Sequence, residues 1–344
     1  MIRILVAEDS AVTREYLVHL LGQDPALSVV GIARNGLEAV EQAERLRPDV
    51  VVMDVHMPRL DGFEATRRIM ERAPTPIVMI SATSSRDEAT MAFRALSAGA
   101  LTVVDKPRGL DHPGQAEATR LLVEAVKLMA EVKVVRRWPR REPPAPPPSP
   151  AVEPGRRIRL VAVAASTGGP VVLKEILSGL PGDFPVPILA VQHIAPGFVG
   201  GLAEWLGTEV RLRVKLAEPG EAVRAGTVYF PPDDVQMEVT KDGRILLPRK
   251  ATEDGFCPSA SHLFESVAEA YGRAAAGIIL TGMGRDGASG LRRIRDAGGL
   301  TIAQDEESSV VFGMPREAIQ LGAAEYVLSP AQIAGAIRAL VARE

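Results

Sequence analysis

The sequence predicts an α/β protein that consists of two doubly wound domains. Short apolar runs rich in β-branched residues alternate with amphipathic segments along most of the 344 residues, which is the pattern of parallel strands joined by helices. A proline-rich stretch at residues 136–157 interrupts this alternation. Such a stretch favours extended polyproline geometry and acts as a spacer, so it separates domains of about 135 and about 187 residues, both of ordinary size.

The first half contains five predicted strands that alternate with five predicted helices. The strands are near-continuous apolar runs, as expected of strands buried on both faces. They are Ile2–Ala7, Val29–Ala33, Val50–Met53, Ile77–Ile80 and Leu101–Val104. The helices are Ala11–Leu21, Gly36–Arg45, Gly62–Arg72, Arg86–Leu96 and Gln115–Met129. This order predicts a five-stranded parallel sheet with helices on both faces.

The second half also alternates, and we expect a mostly parallel sheet there. Its strands are Arg159–Ala165, Pro187–Gln192, Thr227–Phe230, Gly277–Thr281 and Leu300–Ala303. Its helices are Val171–Leu180, Ser261–Tyr271, Gly290–Ala297, Glu317–Leu321 and Pro330–Arg343. The segment Asp233–Leu247 has the pattern of an antiparallel hairpin that turns at Asp242-Gly243.

Composition and charge argue against several classes of protein. Lys and Arg number 40 against 43 Asp and Glu, a net charge of −3, so there is no basic excess to bind nucleic acid or an anionic membrane surface. The single cysteine, Cys257, excludes an internal disulfide framework and a multi-cysteine zinc site. The N-terminal apolar run is short and ends in acids, unlike a signal peptide, and no apolar run reaches about 18 residues. We therefore expect a cytoplasmic protein that is not an integral membrane protein.

Polar side chains follow four strands of the first half: Glu8, Asp9, Asp54, Ser81 and Lys106. Ligands of open α/β sheets bind beyond the carboxyl ends of the strands. Three carboxylates crowd together only if a cation compensates them, and Mg²⁺ suits oxygen ligands. One acid at a strand end often only caps the next helix, but capping does not account for this whole set. The pattern predicts phosphoryl transfer to Asp54, with Glu8 and Asp9 on the metal and with Lys106 and Ser81 on the phosphoryl oxygens.

This half resembles the receiver domain of bacterial response regulators. The resemblance covers residues 1–125 and rests on Glu8-Asp9-Ser10, Asp54-Val55-His56-Met57-Pro58 with Asp61-Gly62, Ser81-Ala82 and Asp105-Lys106-Pro107. It implies a flavodoxin-like fold, phosphorylation of Asp54 by a histidine kinase, and a Mg²⁺ ion that also binds the His56 carbonyl. It further implies that Ser81 re-orients toward the phosphoryl group. Two residues depart from the common pattern: Glu8 replaces an aspartate, and Val103 stands where many receivers have a switch aromatic.

Three potential catalytic side chains follow strands of the second half. Ser166, His193 and Asp286 each come after a predicted strand of one sheet, so they can meet as nucleophile, general base and orienting carboxylate. The backbone amides of Thr167 and Met283 are candidate oxyanion donors. Alternatively, Ser166-Thr167 only caps a helix or the glycine turn binds phosphate, and Met283 is a core residue.

The second half resembles the catalytic domain of chemotaxis protein-glutamate methylesterases of the CheB family. The resemblance runs from residue 158 to the C-terminus and rests on Ala165-Ser166-Thr167-Gly168-Gly169-Pro170, Val191-Gln192-His193-Ile194, Thr281-Gly282-Met283-Gly284 with Asp286-Gly287, and 311–318. It implies a Ser166-His193-Asp286 triad without a cofactor that demethylates receptor glutamates and deamidates receptor glutamines. Its partners would be a chemotaxis-type kinase and methyl-accepting receptors, and receiver phosphorylation would relieve a block of the catalytic edge. The implied boundaries are 1–125 for the receiver, 126–157 for a helix extension and linker, and 158–344 for the methylesterase.

Two departures from the CheB pattern keep other functions open. Gln236 stands where the family usually has a histidine, and Cys257-Pro258-Ser259-Ala260-Ser261 replaces the usual Arg-Pro-Ser-Val-Asp. The alternatives are the same hydrolase chemistry on a non-chemotaxis protein, a related amidase, or a phosphorylation-dependent adaptor. A transcription factor is disfavoured, because the second half lacks a helix-turn-helix pattern and a basic stripe.

Overall fold

The computed structural model describes residues 1–81, 93–107, 115–132, 134, 157–249 and 255–341. The chain divides into two compact units, Met1–Pro143 and Pro144–Glu344. Of the predicted helix Arg86–Leu96, only residues 93–96 lie within the described part, and they are helical. The predicted proline-rich spacer lies outside the described residues except at Arg157.

The first unit is a five-stranded parallel sheet in the order β2-β1-β3-β4-β5. The strands are β1 (Ile2–Ala7), β2 (Leu27–Ala33), β3 (Val50–Asp54), β4 (Ile77–Ser81) and β5 (Thr102–Asp105). The helices are α1 (Ala11–Gly22), α2 (Gly36–Leu46), α3 (Gly62–Arg72), α4 (residues 93–98) and α5 (Gln115–Ala130). This strand order is that of flavodoxin-like folds, so the predicted fold of the first half is confirmed.

Side-chain caps begin three helices of this unit, in the loops that follow β1, β2 and β3. The side chains of Ser10, Asn35 and Asp61 accept hydrogen bonds from the backbone N–H three residues later, which satisfies donors that the first helical turn leaves free. The apolar residues of β1, β3 and β4 are nearly all fully buried. Buried strands and short capped turns together place the polar residues at one edge of the sheet.

The second unit contains a seven-stranded parallel sheet in the order β14-β13-β12-β6-β7-β9-β8. Its strands are β6 (Leu160–Ala165), β7 (Ile188–Gln192), β8 (Arg213–Leu216), β9 (Thr227–Phe230), β12 (Ala275–Ile279), β13 (Leu300–Gln304) and β14 (Tyr326–Leu328). Its helices are α6 (Gly169–Ser178), α7 (Val199–Glu209), α8 (Ala260–Tyr271), α9 (Ala288–Asp296), α10 (Met314–Gln320) and α11 (Pro330–Val341). The predicted hairpin is present as the antiparallel pair β10 (Glu238–Val239) and β11 (Ile245–Leu246).

The strand order reverses at β6, which lies in the middle of the large sheet. From β6 the chain adds β7, β9 and β8 on one side, and β12, β13 and β14 on the other. A crevice opens beyond the carboxyl ends of the strands at such a switch point, and ligands of open α/β sheets bind there. The residues that follow β6, β7 and β12 therefore lie at the expected binding edge of the sheet.

Candidate functional site

The acid pocket of the first unit brings together three carboxylates and one lysine. Glu8, Asp9 and Asp54 each offer a carboxylate oxygen, and the three oxygens lie within 4.8 Å of one another. Lys106 Nζ lies 2.9 Å from Glu8 Oε2 and 2.8 Å from Asp54 Oδ1. Glu8 and Asp54 are buried and Asp9 is exposed, so one end of the cluster is open to a ligand.

The electrostatics of this pocket favour additional positive charge. Burial and the nearby Asp54 carboxylate raise the pKa of Glu8. Burial also raises the pKa of Asp54, and this effect outweighs Lys106, which lowers that pKa. Burial alone would lower the pKa of Lys106, but the two carboxylates outweigh it and raise that pKa. One lysine thus leaves the carboxylates under-compensated, and a divalent cation with oxygen ligands fits the set.

Two further residues of the predicted phosphorylation site lie at the same sheet edge. Ser81 pairs with Asp105 between β4 and β5, and its carbonyl accepts a hydrogen bond of 2.9 Å from the Lys106 N–H. Ser81 Oγ is buried and has no hydrogen-bond partner among the described residues, which suits a donor to an incoming phosphoryl oxygen. His56 lies two residues beyond Asp54 with an exposed side chain.

The backbone brings Ser166 and His193 side by side at the carboxyl ends of β6 and β7. The two strands pair in parallel up to Ala165 and Gln192, and the His193 N–H donates to the Ala165 carbonyl at 2.8 Å. The buried Gln192 amide bridges the two residues, since its Nε2 donates to the carbonyls of Ser166 at 2.7 Å and of His193 at 2.9 Å. A Cβ on Gly169 would lie 2.1 Å from Gln192 Oε1, so the turn after Ser166 requires glycine there.

His193 and Asp286 form a close pair. His193 Nε2 lies 2.9 Å from Asp286 Oδ2, so Nδ1 is the ring nitrogen left for Ser166. No hydrogen bond joins Ser166 Oγ to His193 within the described part of the chain. Hydrogen bonds between catalytic groups commonly tighten only when substrate binds, so the arrangement suits a nucleophile and base that engage on binding.

Asp286 is buried and accepts several hydrogen bonds at the N-terminus of α8. The donors are the Ser259 hydroxyl at 3.0 Å and the amides of Ala260, Ser261 and Gly287 at 2.7, 3.0 and 2.8 Å. Burial alone would raise the pKa of Asp286, but the adjacent imidazole and these amides outweigh it and hold that pKa well below its usual range. The carboxylate is therefore ionised and suited to orient the imidazole.

The two candidate oxyanion donors flank Ser166. The amides of Thr167 and Met283 donate to no group in the described residues, and a free amide near a nucleophile can bind a developing oxyanion. A Cβ on Gly282 would lie 2.6 Å from the Ser166 Cβ, so glycine lets the two loops approach closely. The Met283 side chain is 49% exposed, which rules out the alternative that it belongs to the core.

Comparisons with known proteins agree over both units. The family model "CheB methylesterase" matches residues 161–337, and "Response regulator receiver domain" matches residues 4–115. A protein-glutamate methylesterase/protein-glutamine glutaminase of Syntrophus aciditrophicus is 51% identical over 97% of both chains. A protein of the same name from Myxococcus xanthus is 54% identical over 91% of this chain and 90% of its own length. This chain belongs to the CheB methylesterase family.

A solved CheB structure resembles the second unit. The catalytic domain of Thermotoga maritima CheB matches 54% of this chain and 99% of its own length, with a TM-score of 0.52 and 38% identity. The fold predicted for the CheB catalytic domain is therefore confirmed. None of the described helices is long and apolar enough to cross a membrane.

The segment Cys257–Ser261, which the sequence analysis singled out, lies next to a residue that contacts His193. The Phe256 ring stacks on the imidazole, with ring centroids 4.9 Å apart and planes inclined by 5°. Gln236 is fully buried, donates from Nε2 to the Phe256 carbonyl at 2.8 Å and accepts at Oε1 from the Ser259 N–H at 2.7 Å. Sequence reasoning did not single out Phe256; the available signal was that it directly precedes the Cys257–Ser261 segment named in the sequence analysis.

Proposed function

We propose that the chain is a phosphorylation-activated hydrolase that demethylates glutamate 5-methyl esters of chemotaxis receptors and deamidates receptor glutamines. The observation that carries this proposal is the His193–Asp286 pair beside Ser166 at the switch point of the large sheet. The two full-length relatives bear names that give these two activities. An adaptor would not need a buried, ionised carboxylate held against an imidazole next to a serine.

In the first half of the proposed reaction, Ser166 is the nucleophile. Its Oγ attacks the glutamyl ester carbonyl while His193 accepts the hydroxyl proton, and the oxyanion is stabilised by the amides of Thr167 and Met283. Asp286 orients the imidazole and stabilises the imidazolium. Collapse of the tetrahedral species breaks the ester C–O bond, and His193 returns the proton so that methanol leaves and an acyl-serine remains.

In the second half, water replaces the alcohol. His193 takes a proton from water, the hydroxide attacks the acyl-serine, and Ser166 leaves with the proton returned by the imidazole. The products are glutamate and methanol. With a glutamine substrate, the same steps release ammonia instead. Every proton transfer passes through His193, and the proposal needs no cofactor in this domain.

The receiver domain would control this reaction through Asp54. We assign Asp54 as the phosphoacceptor, Glu8, Asp9, Asp54 and the His56 carbonyl as ligands of Mg²⁺, and Lys106 and Ser81 as phosphoryl contacts. When bound, Mg²⁺ would supply charge neutralisation at the phosphoryl oxygens. The donor would be a histidine kinase of the chemotaxis type. Phosphorylation would relieve inhibition of the catalytic domain by the receiver.

The domain boundaries and the cellular location form part of the same proposal. We assign residues 1–125 to the receiver, 126–157 to a helix extension and proline-rich linker, and 158–344 to the methylesterase. A receptor-modifying enzyme controlled by a kinase works in the cytoplasm, without binding nucleic acid.

The substitution Ser166→Ala tests the proposed nucleophile. We expect methanol release from methylated receptor membranes to fall by about 10³-fold or more, because the attacking group is lost. The control is Ser178→Ala, which removes an exposed hydroxyl at the end of α6 and leaves the rate unchanged. Full activity in the Ser166 variant would refute the mechanism.

A further inference from the structure

The His193 imidazole is held from two sides. Asp286 lies 2.9 Å from Nε2, and the Phe256 ring covers one face of the imidazole nearly parallel to it. The second torsion of a histidine is broad and is not fixed by rotamer preference alone. An edge contact and a face contact together define the ring plane, and with it the direction of Nδ1.

A single buried amide connects these two contacts. Gln236 Nε2 donates to the carbonyl of Phe256, and Gln236 Oε1 accepts from the N–H of Ser259. The Ser259 hydroxyl in turn donates to Asp286 Oδ1 at 3.0 Å. One carboxamide therefore fixes the residue that stacks on the imidazole and the residue that bonds to its carboxylate partner.

The chemistry of position 236 requires both a donor and an acceptor. The amide donates to one backbone carbonyl and accepts from one backbone N–H, and an apolar side chain would remove both of these hydrogen bonds. A carboxylate would keep the acceptor and lose the donor. Gln236→Glu therefore removes the hydrogen bond to the Phe256 carbonyl, whereas Gln236→Leu removes both this bond and the one from the Ser259 N–H.

We propose that Gln236 and Phe256 are positioning residues for His193, which fix the imidazole plane so that Nδ1 meets the Ser166 hydroxyl. This rests on the proposed function of the Ser166-His193-Asp286 set. The aromatic face also attracts the imidazolium that forms when His193 takes the proton, so the contact is stronger in the transition state than before it. Such a contact acts on kcat rather than on KM.

The kinetic test compares Phe256→Leu, Phe256→Tyr and Gln236→Leu in the full chain, activated with Mg²⁺ and a small phosphodonor, on methylated receptor membranes. We expect Phe256→Leu to lower kcat about tenfold and to change KM less than about twofold. Phe256→Tyr keeps an aromatic ring and should retain most of the wild-type kcat. The double variant Phe256→Leu/Gln236→Leu loses no more than the worse single variant, because both act through one ring. Leu246→Ala removes a side chain exposed to a similar degree and leaves kcat unchanged.

A proton NMR spectrum tests the geometry independently of any activity. In the wild type the His193 ring protons, assigned with a His193→Gln variant, are shifted upfield by the Phe256 ring current. The shift disappears in Phe256→Leu and in both Gln236 variants, and it persists in Leu246→Ala. If the wild type releases no methanol but shows the shift, and the shift is lost in the Gln236 variants, the proposed function is refuted while Gln236 remains the residue that holds Phe256.

Three results would overturn the inference. A rise in KM with kcat unchanged in Phe256→Leu would make Phe256 a substrate contact. Multiplicative losses in the double variant would show that the two residues act independently. A ring-current shift that survives Gln236→Leu in a folded protein would show that Gln236 does not hold Phe256.

Discussion

Gln192 connects the proposed nucleophile and the proposed base through their backbone carbonyls. Gln192→Met keeps the size of the side chain but removes both hydrogen bonds, which leaves the Ser166 carbonyl with the Gly169 N–H and takes this donor from the His193 carbonyl. We expect about 2 kcal/mol of lost stability and about a tenfold fall in kcat with little change in KM, because only the strand pairing then fixes the distance between Ser166 and His193. Urea unfolding and steady-state methanol release measure the two effects.

If Gln192→Met lowers the stability but leaves kcat of the folded protein unchanged, Gln192 has only a structural role. The sequence placed this residue within the Val191-Gln192-His193-Ile194 motif but carried no information on where its side chain points. A glutamine at a strand end forms such a bridge only when the two strands are neighbours, and that adjacency appears only in the folded sheet.

The depressed pKa of Asp286 predicts an acid-dependent stability. Because the folded-state pKa lies below the unfolded value of 3.8, the carboxylate contributes stability that is fully present above about pH 5 and is lost as the pH falls further. As the pH falls from 6 to 3, the free energy of unfolding of the catalytic domain should therefore decrease by about 1 kcal/mol more in the wild type than in Asp286→Asn. Urea unfolding at each pH measures this difference. The unfolding is monitored by the fluorescence of buried Trp205 in proteins that also carry Trp138→Phe.

Equal slopes of stability against pH in the wild type and in Asp286→Asn would contradict the buried, ionised state of Asp286. The sequence predicted Asp286 as the orienting acid from its place after a strand, but not the donors that keep it charged. All of those donors except the Gly287 amide come from the start of α8, about 25 residues earlier in the chain.

At the scale of elements, α8 and α9 pack through Gly290. A Cβ on Gly290 would lie 2.6 Å from the Ser261 carbonyl oxygen and 2.7 Å from the Phe264 Cβ. Gly290→Ala should therefore destabilise the catalytic domain by about 1–3 kcal/mol and lower activity, because Ser261 belongs to the donor set around Asp286. Thermal unfolding and methanol release measure the two effects.

Gly207→Ala in α7 is the matched control. Its Cβ would meet only the Val214 Cβ, at 4.0 Å, and alanine favours a helix over glycine by up to about 1 kcal/mol. We expect this variant to be at least as stable as the wild type and fully active. A Gly290 variant that matches it in stability would show that α8 and α9 tolerate a larger separation.

Among the described residues, the sequence predicted most helices and strands but missed α7, β8 and β14, and also the short 3₁₀ helix Gly272–Ala274. The first half of α7 contains two adjacent glycines, which disfavour a helix in isolation, and its burial comes from tertiary packing around Trp205. The strands β8 and β14 have four and three residues, too few for a periodicity to be recognised. Helix α7 and the strands β8 and β14 lie away from the β6 switch point, so the site could be predicted without them.

At the scale of the whole molecule, both sheets place their polar residues at a switch point. In the first unit the order changes at β1 and β3, which end in Glu8-Asp9 and Asp54. In the second it changes at β6, which ends before Ser166. The sequence shows where strands end, because buried parallel strands are apolar and the residues after them are not. This is how the sequence indicated both candidate sites. The contacts made by Phe256 and Gln236 depend on loop conformation, which leaves no periodic signal.

A phosphoryl group on Asp54 is proposed to control hydrolysis at Ser166. The most direct measurement is methanol release from methylated receptor membranes by wild type, Asp54→Asn and Ser166→Ala, each with and without Mg²⁺ and a small phosphodonor. We expect the phosphodonor with Mg²⁺ to raise the wild-type rate, to leave Asp54→Asn at its basal rate, and to produce no release from Ser166→Ala. Stimulation that persists in Asp54→Asn, or folded and phosphorylated wild type that releases no methanol, would contradict the account.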